Sequence, residues 1–242
     1  KAFVTRTTAD YYTDAIECSR LKILERFDGE DAQAVADGHG EVHLVRRITG
    51  YKKIRYYTHE NIGYGPITLP DREMHTSALW WRVSEAALMA VFRTRWQALD
   101  GFLGAAYALH TVAVVRAMAE PRDLGKAVGS GQGEWTGTVD AKGRGELRDA
   151  SSQAISPDVL ARFEPTVFLY DNYPGGTGFS EPLYRQKDEL VRDAIALVTA
   201  CECRHGCPAC IGPVLQSDES DERAPKPAAL SVLRLFEANV PF

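Results

Sequence analysis

"CECRHGCPACIG" (Cys201–Gly212) concentrates four of the chain's five cysteines within ten residues. The spacing is Cys201-x-Cys203-x3-Cys207-x2-Cys210. Zinc takes four ligands in a tetrahedron, with Zn–S near ~2.3 Å. A Cys-x2-Cys step lets two sulfurs reach one ion from a tight turn. Pro208 stiffens that turn and Gly206 frees the backbone before it. Disulfides between such near neighbours would close small, strained loops. Iron–sulfur clusters also take four cysteines, so ligand count alone leaves them open. Four thiolates leave a zinc ion no open position, so the expected metal is one structural ion and the work of the protein lies elsewhere. His205 is expected outside the ligand set. Cys18, far away in sequence, reads as a small apolar residue.

Working back from the cysteines, Ser180 to about Ala200 predicts a helix. Its apolar stripe is Leu183, Leu190, Val191, Ala194 and Val198. Glu181/Arg185 and Asp188/Arg192 are spaced for i,i+4 pairing on the wet face. Before it lies "DNYPGGTGF" (171–179), a glycine turn between a predicted strand, Thr166–Tyr170, and that helix. This form can hold an anion at a helix N-terminus. Asp171 and Glu181 oppose an anion there, so Asp171, Gly175, Gly176 and Gly178 are assigned to a structural turn. Residues 102–119 are nearly all apolar but contain His110 and Arg116, which points to a buried core helix rather than a membrane span. Residues 121–137 hold five glycines and read as a loop. Trp135–Val139 reads as a strand, residues 217–227 as a solvated loop, and about Ala228–Ala238 as a closing helix.

Residues 76–99 place Leu79, Trp80, Val83, Ala87, Val91, Trp96 and Leu99 at helical intervals, with Thr76 or Ser77 as the cap. Upstream, the chain is β-rich. "EVHLVRRITGYKKIRYYT" (Glu41–Thr58) carries two β-branched and aromatic runs, with a hairpin turn expected at Thr49-Gly50. Residues 27–40 read as a polar loop, and Pro66 and Pro70 mark a sheet edge. The expected class is α+β: a small N-terminal antiparallel sheet or barrel over residues 1–75, then a mixed α/β zinc-binding domain over residues 76–242 around a buried apolar helix.

The bulk numbers agree with a globular chain. Its 242 residues are 45% hydrophobic, with a net charge of −5. There is no global attraction to nucleic acid or anionic lipid, so any such contact must be local. A local basic patch exists: Arg46, Arg47, Lys52, Lys53 and Arg55, interleaved with Tyr51, Tyr56 and Tyr57. Cations meeting phosphates beside rings that stack on bases is one way to hold a single strand. An ordinary strand pair with its rings turned inward is the alternative.

Known catalytic motifs are missing. Gly125-Lys126 lacks the earlier glycine and following hydroxyl of a phosphate loop, and "GSGQGE" (129–134) breaks the dinucleotide pattern at Glu134. "DESD" (218–221) lies in a polar loop without a preceding apolar strand. No catalytic residue is assigned; Asp171, His110 and Asp123 are the weak candidates for a free-standing enzyme. The chain begins with Lys1 and enters a β-like run at once, without a signal peptide, which suggests a piece of a longer, cytoplasmic protein.

Taken together, "DYYT" (Asp10–Thr13), "TGYKKIRYYTHENIGYGPITLPDREMHT" (Thr49–Thr76), "EPRDLG" (Glu120–Gly125), "LYDNYPGGTGFSEPLY" (Leu169–Tyr184) and "CECRHGCPACIGP" (Cys201–Pro213) resemble the C-terminal, DUF1998-type zinc-binding region of the MrfA-type superfamily 2 DNA helicases. The resemblance implies that Cys201, Cys203, Cys207 and Cys210 hold zinc. It implies a bacterial parent that unwinds DNA 3′ to 5′ in DNA repair, with ATP and Mg bound by two lobes upstream. It also implies that this part braces the motor and lines the path of single-stranded DNA. Related zinc domains serve anti-phage systems, so a protein-interaction module without DNA contact is the second reading.

Overall fold

A computed structural model describes residues 4–58, 60–130, 136–139, 145–148, 163–212 and 225–238. Eight strands form one antiparallel sheet: β1 Tyr11–Asp31, β2 Val35–Arg55, β3 Asn61–Pro66, β4 Arg72–Val83, β5 Leu124–Gly129, β6 Thr136–Val139, β7 Gly145–Arg148 and β8 Thr166–Asp171. Their order is β1-β2-β4-β8-β5-β6-β7, with β3 paired to β2 beside β4. β1 also touches β5 and β6 from the opposite end of that order, so the sheet curls into a half-barrel. Among the described residues the helices are α1 Glu85–Val91, α2 Arg95–Ala117, α3 Ser180–Arg185, α4 Lys187–Ala200 and α5 Pro225–Glu237.

The curl gives the sheet two apolar faces. On one, Leu79, Trp81, Val83, Val167 and Leu169 pack against α2, α4 and α5. On the other, Leu21, Val42, Leu44, Ala78, Trp80, Phe168 and Tyr170 form a second, smaller core. Phe236 of α5 stacks on Trp81 at 5.7 Å and meets Phe102 of α2 edge-on at 6.0 Å. Burying each such side chain contributes about 1.5–3 kcal/mol.

This arrangement corrects several expectations. The helix expected from residue 76 is strand as far as Val83. β4 is central and buried on both faces, so its apolar residues run together without alternation and mimic a helical stripe. The caps are Ser84 and Thr94, whose hydroxyls accept from the Ala87 and Gln97 N–H groups. Thr76 instead sits inside β4 and donates to the carbonyls of Asp171 and Tyr173. Thr49-Gly50 is no turn but lies within β2, and most of residues 27–40 continue β1 and β2 around a short turn. The glycines there mark close approach rather than loop. A Cβ on Gly40 would stand 2.0 Å from the Glu25 carbonyl oxygen, and one on Gly38 2.7 Å from the Trp80 ring. The glycine-rich stretch 121–137 contains β5, which pairs with β8. The helix expected over 180–200 breaks at Gln186 into α3 and α4. The boundary expected between residues 75 and 76 falls inside β4, which pairs with β2 on one side and β8 on the other.

α2 has the length and composition of a membrane span, with mean hydropathy 1.5. In this fold it is a core helix, burying Leu99, Phe102, Ala105 and Leu109. Gly101 and Gly104 let α5 approach. A Cβ on Gly101 would meet the Ala228 carbonyl oxygen at 2.7 Å and Val232 Cγ2 at 2.9 Å. Gly101→Ala therefore sets a helix-propensity gain of about 1 kcal/mol against overpacking of about 1–3 kcal/mol. Because one clash is with backbone, overpacking wins, and the urea midpoint should fall; a raised midpoint would refute the close contact.

Candidate functional site

α4 delivers the chain to the cysteine cluster. Cys201 is its C-terminal cap in extended conformation, and the loop then turns through Gly206 at φ 122°. The Cys210 and Ile211 N–H groups both donate to the Cys207 carbonyl oxygen at 3.1 Å. Cys210 and Ile211 are buried in the main core, and Cys201, Cys203 and Cys207 pack against it. The metal loop is thus built onto the core rather than hung from it.

The structure brings the four sulfurs together. Separations are 3.5 Å (Cys201–Cys203), 3.6 Å (Cys201–Cys207), 3.5 Å (Cys203–Cys210) and 3.8 Å (Cys207–Cys210). A zinc tetrahedron with ~2.3 Å bonds has edges of about 3.8 Å, so one ion fits between them. Among the described residues this is the one such group of ligands, and His205 is not in it. The Cys207 thiol is pushed down to about 7 by the Ala209 and Cys210 N–H groups and by Cys201. Burial pushes Cys210 up to about 12. A metal that binds here as a tetrathiolate displaces the protons of these thiols.

The glycine turn is closed on itself. Gly175, Gly176 and Gly178 have φ of 80°, 79° and 88°, the left-handed region that favours glycine. Asp171, fully buried, fills the nest they create. Its Oδ2 accepts from the Thr177, Gly178 and Phe179 N–H groups at 2.7, 2.7 and 3.2 Å, and from Thr177 Oγ1 at 3.3 Å. Its Oδ1 accepts from the Ser180 N–H and hydroxyl at 3.1 and 3.0 Å. An internal carboxylate occupies the place an external anion would take.

The other weak catalytic candidates have partners too. His110 Nε2 lies 3.0 Å from the Leu124 carbonyl oxygen, and burial lowers its pKa. Asp123 accepts from the Glu120 N–H and from Tyr173 Oη in the turn before β5. On the wet face, Arg185 pairs with Glu181 as spaced, whereas Arg192 pairs with Glu189 rather than with the Asp188 carboxylate.

The basic patch lies along β2, and three of its five cations are paired with carboxylates. Arg46 bonds Glu17, Tyr170 and Asn172. Arg47 grips Asp71 with two bonds of 2.7 and 2.6 Å, which holds that carboxyl below its ordinary range. Arg55 pairs with Asp10 and Glu60. Tyr51 lies against Gly65 of β3. Lys53 Nζ sits 5.2 Å from the Tyr11 ring centre, and Lys52 stands in register between Asp14 and Tyr64. Beyond them Tyr12, Tyr56 and Tyr57 form a run of rings 5.6 and 6.4 Å apart, with Tyr57 98% exposed.

Two features escaped the sequence. Asp37 of β2 is buried and accepts from Tyr184 Oη and Lys187 Nζ, both at 2.7 Å, fastening α3 and α4 to the sheet. Burial opposes charge on Lys187, yet its bonds to Asp37 and Glu30 raise its pKa overall. Lys226 of α5 reaches the cysteine loop. Both join residues far apart in sequence, with no local pattern to announce them. The Cys18 side chain lies outside the described residues, as do "DESD" and Trp135.

Residues 105–211 match the family described as MZB, the MrfA Zn-binding domain. A Bacillus subtilis (strain 168) protein, described as the uncharacterized ATP-dependent helicase YprA, is 32% identical over 92% of this chain. The uncharacterized protein MJ1572.1 of Methanocaldococcus jannaschii is 35% identical over 22% of the chain and 46% of its own length. Among solved structures, that of the DUF1998 helicase MrfA bound to DNA superposes with a TM-score of 0.60 at 28% identity, covering 95% of this chain. The chain spans 26% of the length of the B. subtilis helicase and of that structure. The four gathered cysteines and these likenesses meet in one conclusion: residues 105–211 resemble the MrfA Zn-binding domain, and Cys201, Cys203, Cys207 and Cys210 form a set that fits one structural zinc.

Proposed function

We propose that this region is the non-catalytic zinc-braced part of an ATP-dependent 3′ to 5′ DNA helicase acting in DNA repair in the bacterial cytoplasm. It stiffens the motor and contributes contacts to single-stranded DNA, while ATP and Mg are bound by other lobes of the parent. The observation that carries this reading is the likeness, over 95% of the chain, to a helicase structure described as bound to DNA. Within the patch Arg46, Arg47, Tyr51, Lys52, Lys53 and Arg55, the two lysines are the phosphate contacts, because no carboxylate within ion-pair distance claims them among the described residues. The rings of Tyr12, Tyr56 and Tyr57 offer stacking surface for bases.

Salt dependence tests this. Binding of the 242-residue chain to a fluorescent single strand should weaken with salt, with a log–log slope of about −0.7 per phosphate contact. Reversing Lys52 and Lys53 to Glu should cut affinity at least about tenfold and flatten the slope by about 1.4, two contacts' worth. A second reading, docking of a partner protein, draws on the exposed Ile62, Tyr64, Ile67 and Leu69 along and after β3. Absence of binding at low salt, or affinity indifferent to the charge reversal, would favour it.

A further inference from the structure

We infer that Lys226 is the counter-charge of the metal centre and ties α5 to its occupancy. Four thiolates around one dication leave a net negative charge in a loop packed on the core. Lys226 is only 9% exposed, and its Nζ donates to the carbonyl oxygens of Cys201 at 2.5 Å and Cys203 at 2.8 Å. Among the described residues no carboxylate pairs with it. A buried ammonium needs an anion nearby, since carbonyl dipoles alone offset little of the hydration it gives up. The metal-bound sulfurs of the two residues whose carbonyls it grips supply that charge.

The backbone of Lys226 takes part as well. Its N–H donates to the His205 carbonyl oxygen at 2.9 Å. One residue thus holds the cysteine loop at three carbonyls, of Cys201, Cys203 and His205, all within the first half of the metal loop. α5 begins at Pro225, so these contacts fall in its first turn, and the same helix goes on to bury Ala228, Ala229, Val232, Leu233 and Phe236. Ala228 and Ala229 lie against Gly101 and Gly104 of α2. Groups that orient and neutralise metal ligands commonly change affinity by about 10- to 100-fold when removed.

The alternative is a plain tie, in which the lysine satisfies two carbonyls just past the end of α4 whether or not metal is present. The two differ in what the metal feels. The inference rests on the tetrathiolate zinc site and is independent of DNA binding. In the 242-residue chain, competition with a chromophoric chelator should show Lys226→Met losing at least about tenfold in zinc affinity, with Lys226→Arg restoring most of it. Cobalt substituted for zinc should show a shifted sulfur-to-metal charge-transfer band in Lys226→Met. Equal zinc affinity and an unshifted band in Lys226→Met would overturn the assignment. Hydrogen exchange on the unaltered chain does not depend on a variant folding: stripping zinc should release the Lys226 amide and the first turn of α5 together with residues 203–210. Retained protection of α5 after metal loss would reduce Lys226 to a plain tie. Lack of zinc in the unaltered chain would instead sink the metal site itself, a separate failure.

Discussion

Replacing Cys210 by Ser should strip the chain of its zinc and lower its melting temperature by roughly 10–20 °C. A structural zinc site carries ~10–16 kcal/mol of apparent binding energy in isolated zinc-finger peptides, most of it realised as folding. Here the loop is anchored in a core that persists in part without metal, so a loss on the order of 5 kcal/mol is expected, at about 2–4 °C per kcal/mol for a chain of this size. Cys210 is the ligand to choose because it is buried against Ile211 and the main core, and serine matches its shape. The cost is then loss of metal rather than of volume. Chelating the unaltered protein should reproduce the same melting curve. Protons compete for the same sulfurs, so zinc should also leave more readily as pH falls. A Cys210→Ser protein that melts with the unaltered one, or retains one equivalent of zinc, would contradict the structural role.

The second large effect belongs to Asp171. Asp171→Asn removes one acceptor oxygen and points an amide donor at a cluster of N–H and O–H donors that have no other described partner. Buried groups left unpaired cost about 1–3 kcal/mol each, and breaking a buried charge-assisted cluster about 3–5 kcal/mol. The melting temperature should drop by about 10 °C, while zinc content stays at one equivalent, because the turn lies before α3 and the cysteines follow α4. Concurrent loss of zinc would show that the two sites are one cooperative unit; an unchanged melting temperature would mean that the nest does not need its carboxylate.

What the sequence revealed follows from the range of each interaction. The cysteine cluster was legible because its geometry is settled within ten residues and ligand chemistry allows few answers. The α+β class, the core helix over 102–119 and the strand at Thr166 were legible from local apolar runs. β4 was not, because a strand buried on both faces loses the alternation that identifies strands. Gly38 and Gly40 misled because a glycine demanded by a neighbouring ring or carbonyl looks the same in sequence as one demanded by a turn. Arg46, Arg47 and Arg55 looked like an open cationic surface until the fold supplied Glu17, Asp71, Asp10 and Glu60. Charge patterning along one strand cannot show which charges the neighbouring strands cancel.

β4 has a mechanical consequence. It is hydrogen-bonded to β2 along one edge and to β8 along the other, and β8 ends at the buried Asp171. A pull on the ribbon of β1 and β2 therefore loads the ladders of β4 in shear, many bonds at once, and reaches the strand that anchors the helices without crossing a hinge. Severing the chain within β4 would leave two raw edges rather than two independent pieces.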